Sequence, residues 1–144
     1  MTKYKNKALQ IKAICLYKYG KYDIFTISKH LNTVIVISYD FNESLTLKNG
    51  VIFINDKVKK EDDYFLEFTK LISKIYLEEK YKNISEDDIE DFALELVVGE
   101  KELKSFYELY KHYPNLSFFK NYFNIPEKII EKELDKLNLK LIKE

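Results

Sequence analysis

The sequence predicts an α+β fold, and three observations carry that prediction. Long stretches place apolar residues at helical spacing, both before and after the middle of the chain. Between them, "TVIVISY" is a β-branched run of strand length. "SLTLKNGVIFIN" then sets Asn49-Gly50 between two short apolar runs, the strongest local signal for a tight hairpin. The expected architecture is a small antiparallel sheet of about three strands packed on helices, with a C-terminal helical extension.

Residues 5–19 read as the first helix. Leu9, Ile11, Ile14, Leu16 and Tyr17 supply a broad apolar side, and Gly20 is the stop. Asp23 caps a short second helix, "IFTISKHL", on which Ile24, Ile27 and Leu31 share a face. "TVIVISY" follows as a strand expected to be buried on both faces. The hairpin strands are expected over Leu45–Lys48 and Val51–Ile54. "DDYFLEFTKLISKIYLEE" is the clearest amphipathic helix. Phe65, Phe68, Ile72 and Ile75 line one face, and Asp63, Glu67, Lys70, Lys74 and Glu78 line the other. Ser85 with Asp88 forms a capping-box pattern ahead of "EDDIEDFALELVV", which Gly99 stops. Further helices are expected over about 101–112, 116–123 and from Pro126 to about Asn138.

Composition narrows function. The 24 basic and 24 acidic residues cancel, which removes any global attraction to nucleic acid or to an anionic membrane. Every basic residue is Lys, so no arginine fork exists for guanine or phosphate. Cys15 is the single cysteine; it lies on an apolar helix side and reads as a packed core thiol. With no signal peptide pattern and no apolar run of the roughly 20 residues a membrane span needs, a cytoplasmic protein is expected.

Candidate chemistry is sparse. His30, His112 and Cys15 are scattered and have no ligand spacing; both histidines read as helix-end residues, where positive charge suits the C-terminal dipole. The glycines at 20, 50 and 99 are isolated, so no phosphate loop forms. The acids of "SEDDIEDF" have a structural reason as the start of a helix. The last helix pair, "LSFFKNYFNIPEKIIEKELDKLNL", has the outline of a helix-turn-helix. Its second helix carries Glu127, Glu131, Glu133 and Asp135 against Lys128, Lys132 and Lys136, a poor surface for phosphate.

Taken in order, these pieces resemble the ImmA/IrrE family of zincin-like metallopeptidases. The resemblance runs from "YDIFTISKHLNTVIVISYDF" through "LKNGVIFIND", the amphipathic helix and "DDIEDFALELVVG" to "FFKNYFNIPEKIIEKELDKLNL". It implies a zincin-like domain over residues 1–112 and a helix-turn-helix-like extension over 113–144 packed on it. Such peptidases carry H-E-x-x-H on the central helix, two histidines for zinc and a glutamate that activates water. Here the best register places Lys70 and Lys74 at the ligand positions; a shift of one residue gives Thr69 and Ser73, equally without a ligand. The family's acidic third ligand would fall near Glu86 or Asp88.

The resemblance therefore implies a pseudoenzyme, with no catalytic residue, metal or cofactor, and with Lys70, Lys74, Glu86 and Asp88 as vestiges of a cleft. Active members are similar to regulators of mobile elements that cleave a helix-turn-helix repressor. The expected role is a phage or mobile-element protein that binds a protein partner, either a repressor or a host defence protein that it inhibits. Its expected binding edge is the strand of Val51, Phe53 and Asn55, with no direct contact to nucleic acid or membrane. The alternatives are a DNA-binding regulator acting through the C-terminal helix pair, and an enzyme with an unrecognised site.

Overall fold

The structure, a computed structural model, describes residues 4–38, 45–48, 51–55, 64–112 and 116–140. Among the described residues, seven helices and three strands follow in the order α1 (Lys5–Tyr19), α2 (Ile24–His30), β1 (Val34–Ser38), β2 (Leu45–Lys48), β3 (Val51–Asn55), α3 (Tyr64–Lys80), α4 (Glu86–Val97), α5 (Glu100–Tyr110), α6 (Ser117–Phe123) and α7 (Glu127–Lys136). The chain divides into two compact units, Met1–Val97 and Val98–Glu144. That division falls before α5, one helix earlier than the boundary expected at 112. It leaves α5 with the C-terminal helices, where Phe106 shares ring contacts with α6.

Local signals set the helix ends. Gly20 closes α1 in the left-handed region at φ 72°, with its N–H donating to the Leu16 carbonyl. The Asp23 carboxylate accepts from the N–H groups of Phe25 and Thr26, and Thr26 Oγ1 accepts from the Asp23 N–H, so α2 opens with a complete capping box. Ser85 and Asp88 make the reciprocal pair at the start of α4, each bond 3.1 Å long.

The first unit is a three-stranded sheet with helices on one face. Its order is β1-β3-β2, with β2 antiparallel to β3 and β1 parallel to β3. The sheet is therefore mixed, which corrects the expected antiparallel arrangement. A hairpin fixes the direction of only the two strands it joins. Twelve residues separate Ser38 from Val51, enough for the chain to lay down β2 on the far side and return with β3 beside β1. The turn residues Asn49 and Gly50 lie outside the described residues.

Alternation along the strands decides the core. Ile52 and Ile54 of β3 pack with Ile27 of α2 and with Phe68 and Ile72 of α3, all fully enclosed, while Ile35 and Ile37 of β1 pack against this cluster. The expected apolar face of α3 is the observed one: Phe65 and Ile75 flank Phe68 and Ile72. Each such side chain contributes about 1.5–3 kcal/mol through burial. A second cluster joins Ala8, Ile11 and Cys15 of α1 to Leu77 of α3 and to Ile89, Phe92 and Leu96 of α4.

The face of α1 differs from expectation. Ile11 is buried as expected, but Leu9, Ile14, Leu16 and Tyr17 are exposed, and Lys12 is buried in their stead. Small Ala8 and Cys15 suit close approach to α4, whereas the larger residues expected to face inward lie on the opposite side of the helix. β1 also departs from the sequence reading, because Val34 (57% exposed) and Val36 lie open on the sheet's outer face.

The second unit centres on Phe106 of α5. Its ring lies 4.9 Å from Phe119 and 5.5 Å from Phe123 of α6, both edge-on, and it stacks on Tyr122 at 4.5 Å. Asn124, left-handed at φ 58°, ends α6, and Pro126 caps α7, whose Ile130 and Leu134 are buried. Tyr107 donates to the Lys140 carbonyl at 2.6 Å, which ties the end of this unit to α5.

Candidate functional site

The helix expected to hold vestigial ligands is α3, and its two candidate registers have different environments. Lys70 and Lys74 are half-buried on its flank, and Lys70 reaches Glu67 at 3.4 Å, a surface pair worth little. Thr69 and Ser73 are fully buried. Their hydroxyls donate to their own helix: Thr69 Oγ1 to the Phe65 carbonyl at 2.8 Å and Ser73 Oγ to the Thr69 carbonyl at 2.6 Å. Of the two stripes at i,i+4 spacing, one is satisfied internally and the other carries ammonium groups.

The acids do not meet those lysines. Five residues join α3 to α4, which runs back along it with Tyr76 stacked on Phe92 at 5.6 Å. Lys70 lies six residues before Tyr76 and Glu86 six residues before Phe92, so at 1.5 Å per residue the two are about 18 Å apart along the helix pair. Lys74 and Asp88 are about 9 Å apart by the same reckoning. Asp88 is engaged in the cap with Ser85, and Glu86 is exposed. Lys70, Lys74, Glu86 and Asp88 therefore do not converge. Among the described residues, no three His, Cys, Asp or Glu side chains gather at metal-binding range.

Val51, Phe53 and Asn55 are not an edge. β3 is the central strand, paired with β1 through Val34↔Val51, Val36↔Phe53 and Ser38↔Asn55, and with β2 through Thr46↔Phe53 and Lys48↔Val51. Its neighbour β1 is an outer strand, with β3 its partner among the described residues. A tight corner from α2 sets where β1 begins. Ser28 Oγ donates to the Thr33 carbonyl at 2.6 Å, the Thr33 N–H donates to the Ser28 carbonyl at 2.9 Å, and Asn32 takes φ 55°. From that fixed start, Ile35 and Ile37 turn to the core while Val34 and Val36 turn outward; Val34–Ser38 carries no charge. Such a strand offers an outward row of backbone donors and acceptors to another extended segment.

One cluster was not singled out from the sequence. Lys12 is buried, with its ammonium 3.4 Å from the Glu95 carbonyl oxygen and 5.7 Å from the ring centre of Tyr22. The Glu95 side chain is buried too. The signal was present: Lys12 interrupts the stripe of Ala8, Ile11 and Cys15, and Glu95 interrupts the apolar run "FALELVV".

The single thiol and the histidines carry no activated chemistry. Burial pushes the Cys15 thiol up, and its S–H donates to the Thr26 carbonyl at 3.7 Å, so the reactive thiolate is disfavoured. Burial, with the charge of Lys18, lowers His30, so the positive charge expected at the end of α2 is opposed. His112 is exposed. No helix among the described residues is long and apolar enough to cross a membrane. No family model, curated protein or solved structure matches the chain.

Proposed function

We propose that this chain is a zincin-like pseudo-peptidase of phage or mobile-element type, which binds a protein partner without cutting it. The partner class is a repressor or regulator, or a host defence protein that the chain inhibits. The observation that carries the reading is the outer strand β1, which has exposed Val34 and Val36 and lies in the same sheet that α3 backs. An extended segment of a partner would add to β1 by main-chain hydrogen bonds, a mode that needs no metal. The order of elements in the resemblance to ImmA/IrrE peptidases supports it, as do the lysines where such peptidases keep histidines.

The experiment is affinity capture from the host with the wild-type chain and with Val36→Lys, combined with zinc analysis. The expected result is a stoichiometric, uncut protein partner that is lost with Val36→Lys, because a charge on an edge strand opposes strand addition. A cleaved partner together with stoichiometric zinc would replace this reading with an enzyme. The exposed side of α7 alternates Glu127, Lys128, Glu131, Lys132, Asp135 and Lys136, which gives duplex DNA no net attraction. Tight, salt-sensitive gel shifts would overturn the protein-binding reading in favour of a DNA-binding regulator.

A further inference from the structure

We infer that β1 pairs with β1 of a second copy of this chain, antiparallel about a twofold axis at Val36, giving a weak dimer with one continuous sheet. The inference rests on the pattern of β1 and its neighbours and does not depend on the peptidase resemblance.

Burial across the sheet differs between strands. Ile52 and Ile54 of central β3 are fully enclosed, whereas Ile35 and Ile37 of β1, packed against the same cluster, are only partly buried. The two strands differ in their neighbours: among the described residues β3 has a strand on each side and β1 has one. On the other face of β1, Val34 and Val36 are exposed. A strand that completes this edge must therefore be apolar on both of its faces. The opposite outer strand is of another kind. β2, Leu45-Thr46-Leu47-Lys48, alternates apolar and polar residues and ends on a lysine, a usual guard of a sheet edge. β1, Val34-Ile35-Val36-Ile37-Ser38, has neither feature.

β1 itself meets the requirement. With Val36 on the axis, antiparallel pairing sets Val36 opposite Val36 of the second copy, Ile35 opposite Ile37, and Val34 opposite Ser38. Opposed residues share a face, so isoleucine meets isoleucine beside the helices and valine meets valine on the outer face. A partner strand of ordinary alternating pattern would match only one of these faces. Charge permits the pairing as well. Val34–Ser38 carries none to repel its own copy, and the zero net charge of the chain removes long-range repulsion. Five residues a side make a small interface, so a dissociation constant on the order of 10 μM is expected. A dimer this weak leaves β1 open to a partner strand at lower concentration.

The test uses the purified full chain in sedimentation velocity from about 1 to 300 μM, a range that spans the expected constant. Wild type is expected to pass from monomer to dimer. Val36→Lys and Val36→Glu each set like charges together at the axis and are expected to weaken the dimer about tenfold or more. An equimolar mixture of the two restores it, because lysine then faces glutamate; a misfolded variant would not be rescued in this way. Register is read by oxidative cross-linking. Val36→Cys is expected to cross-link to itself, and Val34→Cys to link to Ser38→Cys in a mixture but not to itself, with the native Cys15 buried and out of reach. Monomers at every concentration, a dimer indifferent to Val36→Lys, no rescue by the mixture, or cross-links without this register overturn the inference. Growth beyond a dimer overturns the twofold and reassigns the edge to open-ended stacking. Purified chain carries this test and host lysate carries the capture experiment, so self-pairing and the partner reading can each fail without the other.

Discussion

Lys12 of α1 holds its ammonium 3.4 Å from the carbonyl oxygen of Glu95 on α4, although 83 residues separate them in the chain. The bond ties the first helix to the last helix of its unit inside a cluster that is otherwise apolar. Replacing Lys12 by Met keeps most of the aliphatic stem and removes the charge and the donor. Because a buried carbonyl is then left without this donor, Lys12→Met is expected to lower unfolding stability by about 1–3 kcal/mol, measured by urea denaturation. A stabilised variant would mean that desolvating the ammonium costs more than its bonds return.

The two stripes of α3 predict opposite responses to histidine. Ser73 is fully enclosed, and an imidazole there overpacks the helix interface, so Ser73→His is expected to cost about 1–3 kcal/mol. Lys74 is half-buried on the flank, and Lys74→His is expected to fall within about 0.5 kcal/mol of wild type. Thermal melts of both variants check the pair; equal destabilisation would contradict the burial assigned to the two stripes.

Phe106 holds the second unit together through ring contacts with Tyr110, Phe119, Tyr122 and Phe123. Phe106→Ala is expected to cost about 3–5 kcal/mol and to raise amide exchange throughout α5 and α6. Amide exchange confined to the first turn of α5 would show that the ring is not the organising contact.

His30 makes stability fall on the acid side. Burial first, and the charge of Lys18 second, lower its pKa from the usual 6.5. The unfolded chain therefore takes up this proton before the folded one. The contribution of neutral His30 is complete above about pH 6.5 and is lost as pH falls through the folded value. Melting temperature below that pH is expected to drop more steeply for wild type than for His30→Gln. The imidazole titration followed by NMR should move upward in Lys18→Gln.

Much of the architecture was legible because its signals are local. Asp23 and Thr26, and Ser85 and Asp88, close their capping boxes within three residues of chain, and Gly20 takes the one backbone conformation that favours glycine. The spacing of Phe68 and Ile72 identified the inner face of α3 for the same reason. α1 was misread because it has apolar residues all round. Periodicity alone then gives no preferred side, and packing of small Ala8 and Cys15 against α4 chose it. Lys12 was passed over because a lysine in an amphipathic helix ordinarily marks the wet side.

The sequence by itself placed the helices and strands to within about two residues at most ends, and determined the pairing of the hairpin strands and the lack of imidazoles on α3. Tertiary structure alone decided that β3 is central and β1 outer, that β1 runs parallel to β3, and that Lys12 lies inside while Leu16 and Tyr17 lie outside. The physical reason is range. Caps, turns and helical stripes are fixed by neighbours a few residues away, whereas strand order and the choice between two apolar faces depend on contacts between residues distant in the chain.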